Sequence, residues 1–331
     1  MSSRSQKNVC FLAEAGKEVG LGHVTRCAAV AARFRSDGHR ASVLVEVSGK
    51  MPDLADPSIE PCSWRTDSTV LDETLEGVDV AFIDSYVADS ALYTRVAQRV
   101  SVLVAFDDFN RIPYPVDLVV NPNPHADQLD YSGQNADVIG GSDFVVLRPE
   151  LLPLHDEFEV RDRCRNLFVT VGGDDYRLLL PKLLPRLAKR HYQLQVVGAA
   201  KSADLRSEYA SYENVFVHEY LTASEMASQM TRADVTISAG GQTLHELAFL
   251  GVPTIGICID DDQEGNVEFY NQAGFLPTRL DWDLDDLAGR VLKDLENLHS
   301  REARQKRSRI GKALVDGKGP ERIRGAVFDK L

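Results

Sequence analysis

Cysteine is scarce in this chain: five among 331 residues, at Cys10, Cys27, Cys62, Cys164 and Cys258, with no CxxC pair. An odd and scattered set argues against a disulfide framework or a cysteine zinc site. Basic charge is also short, with 37 Lys and Arg against 50 Asp and Glu, a net charge of −13. A nucleic-acid binder needs a basic face, so no nucleic-acid partner is expected. No apolar run is long enough to span a bilayer, and the opening "MSSRSQKNVCFLAEAG" lacks the apolar core of a signal peptide. The expected setting is the cytoplasm, without stable membrane insertion. The oligomeric state is not legible from these features.

What is present is a globular composition, 44% apolar, over a length that suits two domains. Charge is uneven along the chain. Residues 1–150 hold 13 Lys or Arg against 22 Asp or Glu, whereas the stretch from Ser300 onward holds 10 against 4. That basic tail reads either as a solvated helix or as a segment folding back onto the acidic first half.

Strand-like and helix-like stretches alternate twice over. "NVCFLAEA" reads as a buried strand and "HVTRCAAVAARFRSDG" as a helix closed by Gly38. Val24, Cys27, Ala28, Ala31 and Phe34 make its apolar stripe, with Arg26 and Arg33 on another face. "ASVLVEV", "DVAFIDSY", "VSVLVAFDD" and "DLVVNPNP" read as further strands, and "GSDFVVLRPELL" as a short strand entering a charged connector. The rhythm restarts with "NLFVTVGG", "YQLQVVGA", "NVFVHEY", "DVTISAGG" and "PTIGICI". The expectation is an α/β protein of two Rossmann-like domains facing each other across a cleft, residues 1–154 and 155–315, with 316–331 as the tail. Ligands should then bind at the carboxyl ends of the strands.

Chemistry-bearing residues gather at such strand ends. In "GKEVGLGHVTRC", Gly20 and Gly22 permit close backbone approach, and His23 stands where a loop becomes a helix. A neutral imidazole there can accept a proton, though a structural histidine at a helix start fits the same position. In "SAGGQTLHELAFLGVP", a strand ends at Ser238, Gly240 and Gly241, and a helix begins at Gln242 or Thr243. Amides at such a turn cradle a diphosphate, and Glu246 one turn on could accept from ribose hydroxyls. Tyr86 leaves the "FIDSY" strand, where it could hold a sugar hydroxyl or simply edge a turn. Gly172 and Gly173 form another glycine turn, and the Asp260–Asp262 run lacks companions for a metal site.

Taken together these segments resemble the UDP-sugar hydrolases of pseudaminic acid biosynthesis, the PseG-like family, through about residue 280. "GLGHVTRC" is similar to its G-x-GH-x-x-RC signature and "IDSY" to its D-x-Y strand end; "DDFNR", "GSDFVVLRPEL", "VTVGGDD" and "SAGGQTLHELAFLGVPTI" follow in order. The resemblance implies a GT-B fold related to that of the peptidoglycan glycosyltransferase MurG. It implies His23 as the group that activates water and Tyr86 as an active-site tyrosine. It implies UDP held by Gly240–Thr243 and Glu246, with uracil near Tyr220 and Leu221, and it brings Arg26 and Gln263 into the substrate-binding set. The family's Asn-Gln is Asp262-Gln263 here, so Asp262 enters the catalytic set as a departure. The expected activity is release of a free amino or acetamido sugar from a UDP-sugar, with inversion and without a cofactor or metal, feeding a surface polysaccharide. A GT-B glycosyltransferase and a non-catalytic nucleotide-sugar-binding subunit are the rivals.

Overall fold

The computed structural model describes residues 5–16, 21–48, 58–172, 175–198 and 202–331. The chain divides into two units, Met1–Pro149 with Gly317–Leu331, and Glu150–Asp316. The first unit thus ends at Pro149 rather than Leu154. No strand forms in "GSDFVVLRPELL"; it makes 3-10 turns at Ser142–Phe144 and Pro149–Leu154. The prolines at 149 and 153 supply no N–H for a ladder.

The first unit runs β1 Asn8–Gly16, α1 Gly22–Ser36, β2 Arg40–Ser48, β3 Ile59–Pro61, α2 Ser68–Thr74, β4 Val80–Asp84, α3 Ser90–Ala97, β5 Val102–Phe106, β6 Leu118–Asn121 and β7 Asp137–Gly140. Its seven strands pair in parallel in the order β3-β2-β1-β4-β5-β6-β7. β3 and β7 are too short and polar to show in the hydropathy pattern. Along β1, Val9, Phe11 and Ala13 face one core while Cys10 and Leu12 face another, the period of two expected of a strand. Phe11, Phe82 and Phe106 stack across β1, β4 and β5 at centroid spacings of 4.3 and 5.6 Å. Val24, Cys27, Ala29, Val30, Ala31 and Phe34 of α1 are buried, a wider face than the predicted stripe, and Ala28 is only half-buried.

The second unit runs β8 Asn166–Thr170, α4 Leu179–Leu187, β9 Gln193–Val197, α5 Ser202–Glu208, β10 Val215–His218, α6 Ala223–Arg232, β11 Val235–Ala239, α7 Gln242–Leu250, β12 Thr254–Cys258, α8 Glu264–Gln272, β13 Leu280–Asp281, α9 Leu287–Asn297 and α10 Arg301–Leu314. Six parallel strands pair as β10-β9-β8-β11-β12-β13. The basic tail does not act as one piece. Helix α10 packs on α7 in the second unit, whereas α11, Gly319–Phe328, belongs to the first and lies along α1. Among the described residues no helix is long and apolar enough to cross a membrane.

In each sheet the connections diverge from one strand. β1 lies between β2 and β4, and β8 lies between β9 and β11. In α/β sheets of such an order the crevice that binds ligands lies outside the carboxyl ends of the strands at this divergence.

Candidate functional site

His23 occupies the first turn of α1, which follows β1 at the first crevice. The helix entry has no side-chain cap, and no described atom lies within 4 Å of where a Cβ on Gly22 would stand. The imidazole is only 4% exposed, yet neither ring nitrogen has a hydrogen-bond partner among the described residues. Buried polar atoms are rarely left so, and each one asks for an explanation. Asp84 at the end of β4 lies beside it, with Nε2 3.6 Å from Oδ1, too long for a hydrogen bond. The Tyr86 ring meets the imidazole edge-on at 4.3 Å between centroids.

Arg26, one turn further along α1, is tied down. Its Nε and Nη2 donate to the two oxygens of Asp84 at 2.8 and 2.6 Å, and its Nη1 donates to Asp108 at 2.7 Å. The expectation of a substrate contact by Arg26 gives way to a clamp between two carboxylates. Tyr86 is committed as well, donating its hydroxyl proton to Asp108 at 2.8 Å, where Asn123 also donates. Burial, with the Asp108 charge beside it, pushes the Tyr86 phenol well above its ordinary range, so it remains a donor. Burial alone would raise Asp108, but the Arg26 guanidinium overrides it and holds the carboxyl well below the usual range. Asp84 and Asp108 carried no assigned role in the sequence. The available signal was position, since each acid closes an apolar strand in "FID" and "VAFDD".

In the second unit the crevice is edged by the turn after β11. Ser238 is wholly buried inside that strand and donates to the Ala239 carbonyl, so its hydroxyl serves the backbone and not a ligand. Gly240 has a packing reason: a Cβ there would stand 2.4 Å from Val267 of α8. Its N–H donates to Gln263 Oε1 at 2.9 Å, which makes Gln263 a brace for the turn. Gly241 precedes α7, and a Cβ on it would meet nothing closer than Gln263 Nε2 at 3.6 Å. Gln242 and Thr243 form the first helical turn, whose amides have no intrahelical acceptor. The positive end of the helix dipole adds to the attraction for an anion. Gly172, at φ 91 after β8, needs glycine for its left-handed backbone.

Other predicted residues are less drawn in. Glu246 is completely buried, so its carboxylate does not present itself to a ribose as expected. Tyr220 is 70% exposed, and with Leu221 it precedes the capping box of Thr222 and Glu225 that starts α6. Asp262 is exposed in the turn Asp261–Gln263. Gly20 and Gly173 lie outside the described residues. Among the described residues no group of three or more His, Cys, Asp or Glu is placed to hold a metal ion.

With this geometry in hand, comparison becomes informative. Residues 166–316 match the glycosyltransferase family 28 C-terminal domain. Among solved structures, MurG of Acinetobacter baumannii superposes with a TM-score of 0.67 at 14% identity, covering 97% of this chain and 99% of that one. The fold is GT-B. The spinosyn forosaminyltransferase SpnP gives 0.63 at 16% identity, covering 98% and 100%. The UDP-GlcNAc 2-epimerase of Neisseria meningitidis, solved with UDP-GlcNAc, gives 0.62 at 12%, covering 97% and 100%. No curated protein matches the sequence.

Proposed function

We propose that this GT-B chain is a nucleotide-sugar enzyme that transfers the sugar of a UDP-linked donor to an acceptor hydroxyl, with His23 as the base. The observation that carries the reading is the buried imidazole at a strand-divergence crevice, whose two nitrogens have no hydrogen-bond partner among the described residues. The match of residues 166–316 to a glycosyltransferase domain supports transfer as the reaction. His23 takes the proton of the attacking hydroxyl as its oxygen bonds to the anomeric carbon. The bond from that carbon to the diphosphate breaks, and its electron pair leaves with UDP. In the second unit, the amides of the first turn of α7 are the groups suited to bind the diphosphate of UDP. Attack opposite the leaving group inverts the anomeric centre.

Hydrolysis is the second reading, in which water takes the place of the acceptor. It is favoured by the 4% exposure of His23, which suits a small nucleophile, and by the "GLGHVTRC" and "IDSY" segments. One assay separates the readings: UDP and free sugar are measured on a panel of UDP-sugars without acceptor. Equal release of both supports hydrolysis. UDP release that waits for an added hydroxyl acceptor supports transfer. His23→Ala should abolish turnover under either reading and leave UDP affinity within about threefold, because the diphosphate is held by α7. Turnover that survives this change removes the base.

A further inference from the structure

Two apolar side chains stand exposed at neighbouring strand ends of the first unit: Val87 after β4, 57% exposed, and Phe109 after β5, 44% exposed. β4 and β5 pair side by side, with Asp84 opposite Phe106. Single exposed apolar side chains are ordinary, but these two are not scattered. Val87 follows Tyr86 in the chain, and the Phe109 ring meets the Tyr86 ring at 5.6 Å between centroids. Tyr86 in turn meets His23 at 4.3 Å. The Phe109 ring thus lies two ring contacts from the imidazole.

Both loops are fixed by buried side-chain acceptors. After β5, the Asp107 carboxylate is 3% exposed. It accepts from the amides of Asn110 and Arg111 at 2.6 and 3.2 Å and from the hydroxyls of Tyr114 and Tyr131. The turn just after Phe109 places Asn110 at φ 54, a left-handed backbone that asparagine tolerates. After β4, Ser85 Oγ accepts from the amides of Val87 and Ala88 and donates to buried Glu14 at 2.6 Å. Arg111 joins the two loops by donating to the Ala88 carbonyl at 2.5 Å. A ring held on so fixed a turn loses little freedom when a ligand covers it, so less of the contact is spent on ordering. Its partner must be small and amphipathic. The apolar area is two side chains, too little for a lipid tail, and polar Asp89 and Asn110 border them in the chain. A pyranose fits, because it offers an apolar C–H face to an aromatic ring and carries hydroxyls around its rim.

We propose that Phe109 is a specificity-determining residue: its ring, with Val87 at the adjacent strand end, stacks on the C–H face of a pyranose acceptor and so presents one acceptor hydroxyl to His23. The proposal rests on the transfer reading, in which the base touches the acceptor while the diphosphate belongs to the second unit. Its test reads binding and not turnover. Saturation-transfer NMR is run on the full chain with the methyl glycosides of glucose, galactose and N-acetylglucosamine, and separately with UDP-GlcNAc. Ring C–H protons of at least one methyl glycoside should receive saturation from the protein. Phe109→Ala should weaken that signal by about threefold or more, and Phe109→Trp, which keeps an aromatic face, should restore it. Phe109→Leu keeps apolar bulk without a ring, so it should behave as the alanine variant does and replaces it if Phe109→Ala does not fold. Absence of saturation on every methyl glycoside overturns the proposal, as does an equal signal in wild type and the folded Phe109 variants. Saturation confined to the sugar of UDP-GlcNAc overturns it too, since the platform would then serve the donor. Failure of both Phe109→Ala and Phe109→Leu to fold has the same force, because the ring would then serve the fold. Turnover that survives His23→Ala would remove the base and leave this binding measurement standing, whereas the four results above remove the platform and leave the base.

Discussion

Replacing Ile323 in α11 tests what fastens the end of the chain to the first unit. Ile323 and Val327 are completely buried in the core that also holds Phe11, Phe34 and Phe82. Phe328 stacks on Phe34 at 6.2 Å. The ionic contacts there include Arg324–Asp37 and Lys330–Asp137, each at 2.6 Å and each partly in water. Truncating a fully buried isoleucine to alanine costs about 2–5 kcal/mol. A partly exposed ion pair contributes about 0.2–1 kcal/mol and is screened by salt. Apolar burial therefore outweighs charge, although the tail is basic and the first half acidic. The two tryptophans make the assay selective, because Trp64 is buried in the first unit and Trp282 lies in the second. In a Trp282→Phe background, the fluorescence of Trp64 should report urea unfolding of the first unit alone. Ile323→Ala should lower its midpoint strongly, and equally at low and high salt. Arg324→Ala should lower it slightly, and less in high salt. If Arg324→Ala costs as much as Ile323→Ala in low salt, and that cost vanishes in high salt, docking is electrostatic and the reasoning fails.

Two further outcomes are expected. Gly240→Ala should destabilise the second unit by about 1–3 kcal/mol, since its methyl meets Val267 at 2.4 Å. Gly241→Ala, with nothing nearer than 3.6 Å, should fold normally but weaken UDP about tenfold or more in calorimetric titration. Unchanged UDP affinity there would remove the diphosphate cradle. Burial pushes the thiol of Cys10 up to about 12 and those of Cys164 and Cys258 to about 11. Fewer thiolates then exist at pH 8 than in the unfolded chain, so a disulfide reagent should label half-buried Cys62 first and the buried thiols only after urea. Rapid labelling of several thiols in the native protein would contradict this.

The α/β class was legible because buried parallel strands such as "VAFI" and "VLVAF" are continuous apolar runs, and such runs need no partner to be recognised. Helix α7 was legible for a similar reason: a glycine pair after a strand, then nine residues of helical spacing closed by Gly251. His23 was singled out by its place at the junction of strand and helix and by the resemblance of "GLGHVTRC". What the sequence could not show was which groups surround it. Arg26, Asp84 and Asp108 are separated by 58 and 24 residues, and only the pairing of β1 with β4 and β4 with β5 brings them to one guanidinium.

The same division holds at the two glycines and the tail. Gly240 and Gly241 look alike in sequence, yet Val267 of α8 stands against one and leaves the other open. The basic tail reads as a single charged segment, whereas the structure assigns α10 to one unit and α11 to the other. By itself the sequence determined the order of the longer buried strands and the starts of α1 and α7, because local periodicity and glycine turns depend on residues close together along the chain. The clamp that holds Arg26 between Asp84 and Asp108, the steric need for Gly240 and the destination of α11 were decided only by tertiary structure. Each depends on atoms that the chain holds far apart until the sheets form.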